Sequence, residues 1–111
     1  MIEQIILDYL AGKLSVPVKM EEEPDLPNSY VLIEKTGGGE TNYIKRSTVA
    51  IQSYAGSLYE AARLNEAVKT AMNGMVELDA VSKCSLNSDY NYTDTSRKKY
   101  RYQAVYDIVH Y

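Results

Sequence analysis

A chain of 111 residues has the size of one domain, enough to bury a single core and too short for a core plus a separate substrate domain. A formal charge of -3 and a pI near 5.1 speak against general nucleic-acid binding, which draws its affinity from many Lys and Arg contacts to phosphate. The single cysteine, Cys84, excludes an internal disulfide and a cysteine zinc site, and reads as a buried thiol.

The N-terminal stretch MIEQIILDYLAGKL places Ile2, Ile5, Ile6, Tyr9 and Leu10 at helical steps, so the chain opens on an amphipathic helix that Gly12 is expected to stop. Glu3 and Asp8 lie inside it and no small-residue cleavage pattern follows, so it does not read as a signal peptide. No run reaches the roughly 20 apolar residues needed to span a bilayer. A soluble protein made in a cytoplasm is the expectation. SVPVKM is a short extended piece, and Pro17, which cannot donate to a ladder, places it at a sheet edge. EEEPDLPN reads as a solvated acidic loop.

SYVLIEKT is a strand with both faces partly covered, and YIKRSTVAIQSYA is a central strand. The intervening GGGE reads as a flexible or tight connection between them. Ser57 and Glu60 form a capping-box pair at the start of a second helix whose stripe runs through Ala61, Leu64, Val68, Ala71 and Met75. Ala61, Ala67 and Ala71 would let that helix approach a sheet closely, and Asn73-Gly74 would end it in a left-handed turn.

Two alternating runs complete the chain, joined by the polar TDTSRK turn as a long hairpin. Period two would put Cys84, Leu86, Tyr90, Tyr92, Tyr100, Tyr102, Ala104, Tyr106 and Ile108 on one face, with Asn87, Asp89, Asn91, Arg101, Gln103 and Asp107 on the other. The aromatic set is entirely tyrosine, with 11 Tyr and no Phe or Trp, which suits a thin two-layered fold or an interface. The sequence predicts one α+β domain over residues 1–111: a mainly antiparallel sheet with two helices packed on it and a long C-terminal β-hairpin.

Candidate chemistry is sparse. GGGE lacks the Lys and Ser/Thr of a phosphate-binding loop and leads into a strand. His110, the only histidine, is penultimate, where a frayed end would hold catalytic or metal-binding geometry poorly. The acidic run Glu21, Glu22, Glu23 and Asp25 lacks the apolar setting that would raise a carboxyl pKa. No enzyme, metal or cofactor is therefore expected. Tyr90, Tyr92, Tyr100 and Tyr102, beside the basic cluster Arg97, Lys98, Lys99 and Arg101, could stack the bases of a single strand. Their shared parity with Leu86, Ala104 and Ile108 reads first as core or interface.

Three stretches, YVLIEKTGGGE, AIQSYAGSLYEAARLNEAVKTAM and LNSDYNYTDTSRKKYRYQAVYDIVHY, together with the order of elements, carry a resemblance. The chain resembles the tail terminators of long-tailed bacteriophages and prophages, a group also described as tail-completion, head-tail joining or minor capsid proteins. The resemblance implies a non-enzymatic virion protein of the tail and neck. Such a protein is assembled in the host cytoplasm as a hexameric ring that caps the tail tube and docks the neck. DNA would cross the channel without specific binding, which an acidic protein would favour. Candidate contact residues to neighbouring copies, tube or neck are Gly37, Gly38, Gly39 and Glu40 in the glycine stretch. Glu21, Glu22 and Glu23 in the acidic loop, and Arg97, Lys98, Lys99 and Arg101 at the hairpin tip, complete the set. The tip cations would pair with an acidic partner surface such as the next copy's acidic loop.

Overall fold

A computed structural model describes residues Met1–Tyr111. The elements run α1 (Ile2–Lys13), β1 (Val18–Lys19), β2 (Tyr30–Thr41), β3 (Ile44–Ala55), α2 (Leu58–Met72), a 3-10 turn (Met75–Glu77), β4 (Val81–Asn91) and β5 (Tyr100–His110). One five-stranded sheet has the order β1-β2-β3-β5-β4, with every pairing antiparallel except β1 alongside β2. This is the expected α+β fold, with two helices, a mainly antiparallel sheet and a C-terminal hairpin. No helix is long and apolar enough to cross a membrane.

The core lies between the helices and one face of the sheet. Ile2, Ile6 and Leu10 recur every four residues on α1, and Ala61, Val68 and Met72 follow the same face of α2. They meet the alternate residues Val31 and Ile33 of β2, Val49 and Ile51 of β3, and Ala104, Tyr106 and Ile108 of β5. β3 is central, as its two-sided apolar pattern predicts. Burial of Tyr106 in this layer pushes its phenol up to about 12.

Several local expectations require correction. Gly12 does not stop α1, which continues to Lys13 because the position is exposed and nothing in the tertiary structure opposes helix there. Gly37, Gly38, Gly39 and Glu40 are not a connection: they belong to β2 and pair with Thr48, Ser47, Arg46 and Lys45. The chain reverses instead at Asn42 and Tyr43, whose φ angles of 51° and 67° supply the left-handed pair that a two-residue hairpin requires.

α2 begins as expected, with the Glu60 amide donating to Ser57 Oγ at 3.2 Å. The Glu60 carboxylate, however, turns toward Arg63 at 3.9 Å. Ala67 is exposed, so close approach to the sheet depends on Ala61. The helix does not close on a left-handed residue either, since Asn73 and Gly74 have φ of -60° and -90° and lead into the 3-10 turn.

Gly74 is needed for clearance. A Cβ there would meet Tyr9 Oη at 2.5 Å, and that hydroxyl donates to the Ala71 carbonyl at 2.7 Å, tying α1 to the end of α2. Gly74→Ala is expected to destabilise the protein by about 1–2 kcal/mol through crowding and loss of that bond. A double-mutant cycle with Tyr9→Phe should recover much of the cost. Equal cost in both backgrounds would remove the clearance argument.

The largest departure is in the terminal hairpin. β4 slips register against β5 between Val81 and Lys83 and again between Leu86 and Ser88. Each bulge adds a residue to one strand and inverts its side-chain parity. Leu86 therefore lies opposite Tyr106 on the helix side, whereas Tyr90 lies opposite Gln103 on the other face and Asp89 opposite Ala104 on the helix side. The expectation that Tyr90 and Tyr92 share a face with Leu86, Ala104 and Ile108, and that Asp89 opposes them, is corrected by the second bulge.

Candidate interaction surface

The helix-free face carries a row of rings across four strands. Tyr30 of β2 stacks on Tyr54 of β3 at 4.6 Å between centroids. The Arg101 guanidinium of β5 then lies 5.6 Å from the Tyr54 ring and 4.5 Å from the Tyr92 ring beyond β4. Arg101 also donates to Tyr54 Oη at 2.8 Å and to the Tyr92 carbonyl at 2.7 Å, which fixes its plane between the rings. Tyr90 meets Tyr92 edge-on, and Gln103 links Tyr90 to Gln52 by amide hydrogen bonds. Parity inversion in β4 builds this row by bringing Tyr90 and Tyr92 to the side of Arg101 and Gln103.

The acidic loop folds over one end of the row. Leu26 packs on Tyr30, Leu32 and Tyr54, and Glu22 accepts hydrogen bonds from Tyr30 Oη at 2.8 Å and Lys99 Nζ at 2.9 Å. The Lys99 and Tyr30 bonds hold the Glu22 carboxyl below its ordinary range. Burial, aided by Glu22, pushes the Tyr30 phenol up. Between loop, stacked rings and hairpin tip lies an open cleft of about 690 Å³, bordered by Glu22, Leu26, Tyr30, Tyr54, Lys98 and Lys99.

The candidate contact residues therefore divide. Lys99 and Glu22 pair within one chain. Both ends of that pair are well exposed, so it contributes about 0–1 kcal/mol. Glu23 pairs with Lys19 at 3.6 Å, and Glu21 is exposed. At the tip, Asp94 accepts from the Ser96 and Arg97 amides, while the Arg97 and Lys98 side chains remain outward. Arg101 is committed to the ring row. Gly37, Gly38, Gly39 and Glu40 lie at the opposite end of the sheet, in an exposed part of β2 beyond the reach of β1.

His110 is not a frayed end. It is a buried strand residue with Nε2 2.7 Å from Ser47 Oγ, which is buried too. This pair lacks the features of a nucleophilic centre: both groups are inaccessible, and the charges near the ring are Lys45, Lys35 and the N-terminal ammonium, with no orienting carboxylate. Burial, the largest cause, lowers the imidazole pKa from its usual 6.5; the Tyr111 backbone hydrogen bond opposes it, and Lys45, Lys35 and the N-terminal ammonium each add a smaller downward pull.

Because the folded-state pKa is the lower one, the His110 contribution to stability is complete above pH 6.5 and is lost as pH falls through the folded value. The unfolding midpoint should be flat from pH 8 to 7 and then decline. The lone imidazole resonance of the folded protein should titrate below 6.5. Titration at or above that value would contradict the burial and charge described.

Cys84 faces the helix side of the sheet, and burial pushes its thiol up to about 11, away from nucleophilic use. No group of three or more His, Cys, Asp and Glu side chains is placed to hold a metal ion. Sequence reasoning missed two features. The first is the Asn65–Asp89–Lys69 cluster joining α2 to β4, which the parity inversion hides. The second is Tyr43 at the β2-β3 turn, 88% exposed on a left-handed backbone, for which a non-glycine pair between strands is the only signal. No protein-family model matches the chain, and no curated protein matches it.

Proposed function

We propose that this protein is a non-enzymatic assembly module of the tail-terminator kind. In this reading it forms a ring, most simply a hexamer, caps a phage or prophage tail tube, and presents a docking face to the neck. The supporting observation is the free backbone of the sheet. β1 pairs with β2 only at Val31 and Leu32, which leaves the outer edge of β2 open from Glu34 to Thr41, and β4 closes the other side of the sheet as a second edge. Non-identical edges suit the head-to-tail contacts by which cyclic assemblies close. Arg97 and Lys98, the outward cations of the tip, are available to an acidic tube or neck surface.

The test is to add the protein to tubes polymerised from the tail-tube protein of the same phage or prophage. Tube growth should stop, and the ends should carry a ring density. Charge reversal at Arg97 and Lys98 should weaken capping and reduce its salt dependence. Tubes that lengthen unchanged, with bare ends, would dismiss the reading.

A second reading is favoured by one observation: Tyr90 and Tyr92, 40% and 44% exposed, stand on the helix-free face beside Arg101. Such a group could stack single-stranded bases. Against it, Tyr30 and Tyr54 are covered by the acidic loop, and the net charge is -3. A labelled oligonucleotide titrated at low salt, where phosphate attraction is greatest, should show no binding under the assembly reading. Micromolar binding abolished by Tyr92→Ala would reverse the order of preference.

A further inference from the structure

The β2-β3 hairpin has its residue types inverted relative to what its own backbone asks for. Gly37 and Gly39 occupy extended strand positions with no positive φ. A Cβ at Gly37 would make only ordinary contacts with Thr48, and one at Gly39 would meet nothing within 4 Å. Glycine in a strand interior weakens it, so the fold gains nothing from either residue. Four residues beyond Gly39, Tyr43 takes φ 67°, where glycine would be free of strain, and its ring is 88% exposed. Ile44 beside it is also exposed. Side chains are absent where the fold would accept them, and a large one is present where the fold would prefer none.

This inversion makes sense if another body lies along β2. Bare strand positions let a second backbone approach the open edge, and an exposed tyrosine at the end of that edge supplies an anchor of the kind that dominates interfaces. The partner can be read from the opposite side of the same sheet. Glu40 pairs with Lys45, Lys45 with His110, and His110 with Val81, so the start of β4 is level with the open end of β2. β4 also runs antiparallel to β2, as the successive antiparallel pairings β2-β3, β3-β5 and β5-β4 require. Exposed apolar side chains flank that end of β4, with Val76 just before the strand, Leu86 within it, and Tyr111 beside Ala80.

We infer that the edge of β2 from Glu34 to Thr41 pairs antiparallel with the outer edge of β4 of a second copy, and that Tyr43 seats on the apolar flank of that copy's β4. The sheet then continues from copy to copy, and the contact is heterologous, so it can close into a ring. This rests on the assembly reading above and names the surfaces that would carry it.

Tyr43→Gly relieves backbone strain, so it should leave the unfolding midpoint equal or higher. In the same protein, loss of the ring should weaken self-association by roughly tenfold or more. Gly37→Lys, which has space for its Cβ, should likewise block edge pairing without unfolding the chain. In a Cys84→Ser background, Gly39→Cys combined with Lys83→Cys, which lies level with it across the sheet, should yield, on oxidation, a reducible ladder of dimers, trimers and larger species, whereas neither cysteine alone should pass beyond dimer.

Three results would overturn the pairing: self-association unaffected by Tyr43→Gly and Gly37→Lys, a double-cysteine protein whose oxidised product stops at dimer, or a wild-type chain that stays monomeric at high concentration. Rings that form regardless of these substitutions would sink the edge pairing and spare the assembly reading. A disulfide ladder whose rings leave tail tubes uncapped would do the reverse.

Discussion

Replacing Ile51 by alanine is expected to cost about 4 kcal/mol, the largest effect of any single truncation in the sheet. Ile51 is fully buried at the centre of β3, paired on one side with Ile33 and on the other with Ala104. It belongs to the cluster that joins both helices to the sheet. The loss combines the transfer free energy of the removed methylenes with a cavity that β2 and β5, held on either side by the ladder, cannot collapse to fill. For a domain of this size the unfolding midpoint should fall by roughly 15–30 °C. A net stability of 5–15 kcal/mol is typical, so the variant would be marginal at 37 °C. Ile44→Ala, on the same strand at an exposed position, should change stability by less than about 1 kcal/mol. Similar small losses at both positions, measured by urea unfolding, would contradict the placement of the core.

The second large effect is expected at a polar position. Asp89 accepts from Asn65 Nδ2 at 2.6 Å and Lys69 Nζ at 2.5 Å, clamping α2 to β4. Asn65 is only 2% exposed, and its Oδ1 has no hydrogen-bond partner, so Asp89 satisfies the one half of the amide that is bonded. Asp89→Ala strands that donor and should destabilise the protein by about 2–3 kcal/mol. Lys69, whose pKa the bonds to Asp89 and Glu66 raise, retains Glu66 at 2.8 Å and so is not left alone. Asp89→Asn keeps an acceptor for Asn65 and should recover about half of the loss. Asn65→Leu combined with Asp89→Ala should be milder than Asp89→Ala alone, because no buried amide remains to be satisfied. An Asp89→Ala protein as stable as wild type would show that the clamp carries no weight.

These two sites also show how far the sequence can be read. Ile51 was legible because β3 is unbroken and apolar on both faces: its register runs without a shift against β5 from Lys45 to Ala55, and every residue from Val49 to Ala55 is buried. Asp89 was not, because alternation is a local rule and each β4 bulge resets it. The bulged residues Ser82 and Asn87 are polar and exposed, and they carry no mark that distinguishes them from ordinary strand positions. The same inversion turned Tyr90 and Tyr92 toward Arg101, so the ring row across the helix-free face could not be assembled from parity.

The glycines misled for a related reason. Gly37 to Gly39 signal a turn by composition, yet β2 keeps its ladder through them, and reversal falls to Asn42 and Tyr43, where propensity is weaker and the residues are strained. Tertiary pairing overrode local preference at both places. His110 was dismissed for its position in the chain, although pairing with Lys45 and Val81 on either side holds the last turn of sequence within the sheet. Ser57 and the α1 stripe, by contrast, were legible because capping and helical periodicity are satisfied within a few residues.

Sedimentation velocity of the wild-type chain and Tyr43→Gly, over a concentration series from low micromolar to near millimolar, tests the central claim most directly. The account predicts a wild-type boundary that shifts with concentration toward a closed multiple of the monomer, and a Tyr43→Gly protein, no less stable, that remains smaller throughout. A single monomeric boundary for both proteins across the series would contradict it.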